Sequence, residues 1–173
     1  MGNDLLKKLE GGNRRSIGRV EDVVREVLGD PDLFGVLFDG MSHPDPLVRM
    51  HSADAVEKLT ADRPEWLAPY KHRLLRQVAA CEQQEVRWHA AQLFSRVKWT
   101  PRERRRVVEI LAGYLSDESK IVKTFSMQAL ADIALQDAGL RPGILRQLEA
   151  LTRTGSPAMR SRGRKLLAQL KAE

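Results

Sequence analysis

Apolar and polar positions recur along this chain with a period of about 37 residues. Four segments align without gaps when each is anchored at an apolar residue, and successive anchors lie 38, 36 and 37 residues apart. The anchors are Val48, Val86, Val122 and Met159. The anchors and the positions seven, eight and eleven residues later are apolar, and they fall on one stripe of a 3.6-residue helix. Each segment is therefore predicted to be a helix that buries one face.

Two further positions keep their chemistry in all four segments. The residue after the anchor is basic: Arg49, Arg87, Lys123 and Arg160. The residue four positions after the anchor is small: Ser52, Ala90, Ser126 and Gly163. Because the small position lies inside the apolar stripe, we expect it to let a neighbouring helix approach closely. The basic position lies on the flank of the stripe, where we expect the side chain to have a structural role and not to bind phosphate.

A second apolar helix precedes each segment, because counting back eleven residues from every anchor reaches a leucine. These leucines are Leu37, Leu75, Leu111 and Leu148. Four helix pairs are therefore predicted, at about residues 31–60, 64–98, 100–135 and 141–172. Prolines lie just inside the proposed helix starts, and Pro69 predicts a kinked or delayed helix. No stretch alternates with the period of two that is typical of a strand.

An additional helix is predicted before the four pairs. Apolar residues at helical spacing mark it over residues 16–28, after an N-terminal segment of residues 1–15. The marking residues are Ile17, Val20, Val24 and Val27 or Leu28. We expect this helix to cap the first pair and residues 16–173 to form a single all-α domain.

The turn before the first anchor carries a family motif. Residues 43–49 have the sequence HPDPLVR, which resembles the Asp-Pro-Asp-Pro-x-Val-Arg turn of HEAT repeats. The later turns depart from the motif, although the helix register continues over residues 31–172. The resemblance implies an armadillo-like, right-handed α-solenoid of about four helix pairs. HEAT-like arrays serve mainly as scaffolds, so it also implies a non-enzymatic adaptor that binds a protein partner through its concave face.

The composition excludes several classes of protein. The 173 residues are 42% hydrophobic and 30% charged, which is typical of a folded domain. A single cysteine, Cys81, excludes an internal disulfide framework and a zinc site built from several thiolates. No apolar stretch approaches the ~20 residues of a membrane span, and the first residues lack a secretory apolar segment. We therefore expect a cytoplasmic protein without a membrane partner.

The positive charge is concentrated in the last part of the sequence. Residues 1–140 carry 21 Lys and Arg against 21 Asp and Glu, whereas residues 141–173 carry eight against two, so the whole +6 lies there. This asymmetry favours an acidic partner, and nucleic acid is the alternative to a protein. The candidate anion-binding residues are Arg160, Arg162, Arg164 and Lys165. The competing interpretation is a solvated helix kept soluble by its arginines.

The residue two positions after the anchor is predicted to point away from the buried stripe. This places Met50, Trp88, Thr124 and Ser161 on one ridge of the second helices, the side that is concave in HEAT-like stacks. A tryptophan beside Arg87 and His89 has the composition of a protein-binding hot spot. The candidate partner site consists of Met50, Arg87, Trp88, His89 and Thr124, with Trp88 as its anchor. The pattern is equally compatible with a Trp88 that folds over the edge of a neighbouring helix.

No cofactor, metal or catalytic residue is predicted. His51 and His89 occupy the same offset in adjacent segments, but no carboxylate converges on them at a spacing typical of a metal site. Phosphate-binding glycine loops and hydrolase motifs are also missing from the sequence. One HEAT-like group, the alkylpurine DNA glycosylases, uses a carboxylate and aromatic residues on the concave face, and here Asp54 and Trp88 would correspond. A relative of those enzymes is the alternative within the nucleic-acid-binding class.

The last helix suggests a possible mode of self-association. Leu166, Leu167 and Leu170 lie on its apolar side, and no later repeat follows to cover them. We therefore expect either a monomer or an end-to-end homodimer.

Overall fold

The computed structural model describes residues 2–11 and 18–172, and these residues form helices joined by short turns. No strand is present in these two ranges, and the predicted all-α class is confirmed. The predicted linker at residues 12–15 and the start of the predicted capping helix, including Ile17, lie outside the described residues.

The helices follow the order of the predicted pairs. They are α1 (Gly2–Lys7), α2 (Val20–Gly29), α3 (Phe34–Gly40), α4 (Pro46–Asp62), α5 (Lys71–Arg73), α6 (Gln84–Arg96), α7 (Pro101–Tyr114), α8 (Lys120–Gln136), α9 (Arg141–Thr154) and α10 (Pro157–Ala172). The chain divides into two compact units, unit 1 at Met1–Val97 and unit 2 at Lys98–Glu173. The single domain at residues 16–173 and the right-handed solenoid stay predictions.

Pro69 delays the first helix of the second pair, as its position predicts. Residues Pro64–Tyr70 form a 3-10 helix, regular α-helix begins only at α5, and a π-helical turn follows at Leu74–Val78. Proline lacks an N–H and its ring clashes with the carbonyl four residues earlier, so an α-helix cannot run through Pro69. The π turn inserts one residue into the register. Leu74 is therefore the buried leucine of this helix, and the predicted Leu75 is only half-buried.

The predicted capping helix is present, with a different buried face. In α2 the buried residues are Val20, Val23 and Val27, which share one face and pack against α4. The predicted Val24 is half-buried, and Leu28 is 51% exposed. The helix begins at Val20, and its contact with α4 selects the face that passes through Val23.

Unit 2 consists of two regular helix pairs, α7 with α8 and α9 with α10. The first begins with a capping box, in which Thr100 Oγ1 accepts from the Glu103 N–H at 3.3 Å and Glu103 Oε2 accepts from the Thr100 N–H at 2.9 Å. In the last helix Leu166 and Leu170 are only 3% and 2% exposed, because α10 packs against both α8 and α9. The expectation that these two leucines lie uncovered is wrong. Most of the apolar surface that was expected to hold an end-to-end dimer is therefore buried within unit 2.

Hydrogen bonds made by two side chains join the first two turns of unit 1. Arg49 Nη1 donates to the carbonyl oxygens of His43 and Pro44 at 2.8 and 2.9 Å, and its Nε donates to Gln83 Oε1 at 2.8 Å. Gln83 Nε2 in turn donates to the Pro46 carbonyl oxygen at 2.9 Å. Gln83 lies at the position of the second turn that corresponds to Asp45 of the first turn, and it connects the two turns.

The small residue four positions after each anchor is buried in all four segments. A Cβ added at Gly163 would lie 2.0 Å from Thr152 Oγ1 and 3.0 Å from Thr152 Cβ, so α10 touches α9 at this point. In the first pair, a Cβ added at Gly40 would lie 2.1 Å from the hydroxyl oxygen of the small residue Ser52. The expectation of a close helix approach at this offset is confirmed in these two pairs.

Gly163→Ala is expected to destabilise the protein by about 1–3 kcal/mol, because the added methyl group overpacks the contact with Thr152. Gly113→Ala is the matched control, since Gly113 is exposed in α7 and an added Cβ meets nothing within 4 Å. This control is expected to stabilise the protein by up to about 1 kcal/mol, the difference in helix propensity. Urea unfolding followed by circular dichroism measures both changes. Similar effects of the two substitutions would contradict the close packing at Gly163.

Candidate functional site

The packing of α4 against α6 brings two carboxylates and a histidine together in unit 1. Asp54 and Glu57 lie three residues apart on α4, so they are neighbours on one side of that helix. His89 lies on α6, which packs against α4. One oxygen or nitrogen atom from each of the three side chains lies within 4.8 Å of the other two. We call these three residues the acid–histidine cluster.

Two cationic side chains pair with the carboxylates of the cluster. Lys58 Nζ lies 3.2 Å from Asp54 Oδ2 and also pairs with Glu21 on α2. Arg96 pairs with the carboxylate of Glu57. All four groups of these two pairs are half-buried, so water and salt screen them less than ion pairs on an open surface. The pairs hold the two carboxylates in place at the contact between α4 and α6.

The imidazole of His89 is neutral at physiological pH. Burial lowers the pKa of His89 to about 4; the negative charge of Glu57 opposes this shift, and the positive charges of Lys58 and Arg96 add to it. The His89 Nδ1 atom is buried and has no hydrogen-bond partner among the described residues. Such an unpartnered ring nitrogen beside two carboxylates is an unusual feature of a folded interior.

Trp88 lies next to the cluster on α6 and is half-buried. Its ring centre lies 5.7 Å from that of His89, with the two planes tilted by 55°. Within the described residues its side chain makes no hydrogen bond, and beyond the bonds of the helix its carbonyl oxygen accepts from Gln92 Nε2 at 3.3 Å. The indole N–H therefore has no partner there. The sequence analysis offered an exposed binding residue or a residue folded over a helix edge, and the exposure of Trp88 is intermediate between these two. Part of its side chain is covered and part is accessible.

Met50 does not lie on an exposed ridge, and that prediction is wrong. The side chain is only 7% exposed, because α4 has α2, α3 and α6 packed around it. Thr124, in unit 2, is half-buried, and its Oγ1 donates to the Lys120 carbonyl oxygen of the same helix at 2.7 Å. Ser161, the fourth residue predicted on the ridge, is exposed, and Trp88 is the large side chain of the ridge that keeps a free polar group.

Arg87 is engaged in its own turn. Its Nε donates to the Cys81 carbonyl oxygen at 2.9 Å, and the side chain is half-buried. Arg49 makes the equivalent contacts in the preceding turn. In unit 1 the basic residue after the anchor therefore stabilises the turn, as the sequence analysis expects. Arg87 supports the position of Trp88 and is less available to a partner.

Three of the four predicted anion-binding residues are exposed on α10. Arg160, Arg164 and Lys165 form no ion pair or side-chain hydrogen bond within the described part of the chain. Arg162 differs, because it is half-buried and its Nη1 donates to Gln128 Oε1 of α8 at 2.7 Å. Its guanidinium is thus engaged with the preceding second helix, whereas the anion-binding role of all four residues stays a prediction.

The charge difference between the two units is larger than the sequence analysis indicated. Unit 2 carries 15 Lys and Arg against eight Asp and Glu, a net charge of +7. Unit 1 carries 14 against 15, a net charge of −1. Any electrostatic attraction of an acidic partner is therefore a property of unit 2.

The sequence analysis missed the acid–histidine cluster, because its carboxylates precede His89 by 35 and 32 residues. The repeat register could have indicated the cluster. The residue three positions after one anchor, His89, lies beside the residues six and nine positions after the preceding anchor, Asp54 and Glu57. The contact between Arg162 and Gln128 in unit 2 follows the same rule. His51 occupies the third position of the first pair, and its Nδ1 lies 2.8 Å from the Leu9 carbonyl oxygen instead.

No protein-family model and no curated protein matches this chain in sequence. The HEAT-like assignment therefore depends on the repeat register and on the turn at residues 43–49, and it stays a prediction. Among the helices in the described ranges, none is long and apolar enough to cross a membrane.

The free energy of unfolding is expected to fall by about 2 kcal/mol between pH 7 and pH 5 because of His89. In the unfolded chain the imidazole gains a proton near its ordinary pKa of 6.5, whereas the folded protein protonates it only near pH 4. The unfolded state binds more protons across this window, so stability is lost as the pH falls. Urea unfolding at the two pH values, in buffer with a chelator, measures the change.

Two glutamine substitutions test whether His89 causes this pH dependence of the stability. His89→Gln should remove it, whereas His72→Gln alters an exposed histidine and should leave it unchanged. A pH dependence that persists undiminished in His89→Gln would show that another group is responsible.

Proposed function

We propose that this protein is a non-enzymatic helical-repeat scaffold that binds a protein partner through the second helices of unit 1. The observation that carries the proposal is Trp88, a half-buried tryptophan whose indole N–H has no partner within the described residues. A side chain of this kind offers a large apolar contact area together with one hydrogen-bond donor, the combination found at binding hot spots.

The surroundings of Trp88 favour a polypeptide partner. The neighbouring Asp54 and Glu57 offer carboxylate oxygens, which accept hydrogen bonds from backbone and side-chain donors. The carboxylates are balanced by Lys58 and Arg96, so the surface carries mixed charge. Mixed polar groups around an aromatic anchor are typical of the rim and core of protein interfaces.

The HEAT-like register supports the same proposal. We take the four helix pairs to form a right-handed α-solenoid in which the second helices line the concave side, the usual binding surface of such arrays. The alternative of a glycosylase-like enzyme receives no specific support, because Asp54 is paired with Lys58 and the described aromatic neighbour of Trp88 is His89.

Trp88→Ala is expected to weaken partner binding by about 1–2 kcal/mol or more, because it removes the anchor. The partner is first isolated by affinity purification with the wild-type protein and then titrated calorimetrically as a purified protein. Leu28→Ala is the matched control, since Leu28 is an exposed apolar residue of the same unit and its removal should leave the affinity unchanged. A Trp88→Ala variant with the wild-type Tm and the full affinity would remove Trp88 as the anchor.

A second candidate function is nucleic-acid binding by unit 2. The observation that favours it is the group of exposed, unpaired cations on α10, Arg160, Arg164 and Lys165, in a unit with a net charge of +7. Phosphate groups attract such side chains, and binding of this kind weakens steeply as the salt concentration rises, because the counterions released on binding then gain less entropy.

The double substitution Arg160→Glu and Arg164→Glu is expected to lower affinity for labelled duplex DNA or single-stranded RNA and to reduce the salt slope by about one unit per lost phosphate contact. Fluorescence anisotropy at low and physiological salt measures both quantities. Arg63→Glu with Arg76→Glu is the control, because it makes the same charge change at exposed sites of unit 1. Salt-independent binding, or equal losses in the two double variants, would refute the role of α10.

A further inference from the structure

The acid–histidine cluster retains three acceptor atoms that the protein does not use. Lys58 pairs with Oδ2 of Asp54, and Arg96 pairs with Oε1 of Glu57. The second oxygen of each carboxylate, and Nδ1 of His89, have no hydrogen-bond donor within the described residues. Lone pairs on two carboxylates and one imidazole, held on two packed helices, form the donor set of a cation site.

We propose that Asp54, Glu57 and His89 bind a divalent transition-metal ion, for which Zn²⁺ is the best fit. One nitrogen and two oxygen ligands at 2.0–2.2 Å suit Zn²⁺, and the fourth position of a tetrahedral site would take water. Ligand atoms around one such ion lie up to about 4 Å apart, and the atoms of the cluster, within 4.8 Å of one another, lie near that spacing. Magnesium and calcium prefer larger sets made of oxygen alone.

In unit 2 the register position that corresponds to His89 holds a cationic side chain. There Arg162 occupies the place that corresponds to His89, and its guanidinium donates to Gln128, which in turn donates to Asp132. A permanent cation thus joins α10 to α8. In unit 1 the corresponding place holds an imidazole that donates to neither carboxylate, and a bound ion would join α6 to α4.

The neighbouring cations give the site a specific signature. Lys58 lies against one metal-binding carboxylate and Arg96 against the other, so each opposes the approach of a further positive charge. Removing the charge of Lys58 should therefore strengthen metal binding. A cluster that only stabilises the packing of α4 and α6 would show no such gain.

Calorimetric titration of the untagged full chain with Zn²⁺ alone tests the proposal, and one ion per chain is expected. His89→Gln and Asp54→Asn should each weaken binding by about tenfold or more, because each removes a ligand. Lys58→Met should strengthen it by about threefold or more. His72→Gln, at an exposed histidine, should leave the affinity unchanged, and circular dichroism verifies the fold of every variant.

Three outcomes would overturn the metal site: no saturable binding by the wild type, wild-type affinity in His89→Gln, or loss of binding in His72→Gln. Should His89→Gln fail to fold, the nitrogen NMR signals of the wild-type imidazoles decide, since Zn²⁺ must shift those of His89. Trp88 is not one of the proposed ligands, so Trp88→Ala should bind Zn²⁺ as the wild type does even where it loses the proposed partner.

Discussion

The close approach of two helices at a small residue is the constraint on which the first and the last helix pair depend. In the first pair the hydroxyl of Ser52 lies against Gly40, and in the last pair Gly163 lies against Thr152. Only with a small side chain at this crossing can the flanking apolar residues of both helices meet, because protein interiors are packed as densely as organic crystals. The apolar stripe supplies the driving force for folding, and the small residue lets the stripe be buried.

Hydrogen bonds of the Arg49 side chain connect the first two turns of unit 1. The Arg49 side chain reaches back to its own turn and forward to Gln83, so the second turn is positioned by hydrogen bonds to the first. The second turn differs in sequence from the first, with Gln83 at the place that corresponds to Asp45, and its glutamine both accepts from Arg49 and donates to Pro46.

Charge at the contacts between second helices distinguishes the two units. In unit 1 the contact holds two carboxylates with Lys58, Arg96 and a neutral His89, whereas in unit 2 it holds Arg162 with polar partners. The same helical framework thus presents a mixed surface next to Trp88 and a basic surface on α10. This division matches the two proposed activities, protein recognition by unit 1 and an anionic partner for unit 2, and it arises from substitutions at equivalent positions of one repeat.

The sequence by itself determined the all-α class, the helix pairs, the small crossing residue and the delay at Pro69, because these follow from periodicity and local backbone chemistry. Tertiary structure alone decided the burial of Met50, the rotated face of α2 and the meeting of Asp54 and Glu57 with His89. Periodicity defines which face of a helix is apolar, but it does not show how many neighbouring helices cover the other faces. A helix with three neighbours, such as α4, buries positions that its own pattern marks as exposed. Contacts between residues more than thirty positions apart depend on that packing, and local pattern alone did not reveal them.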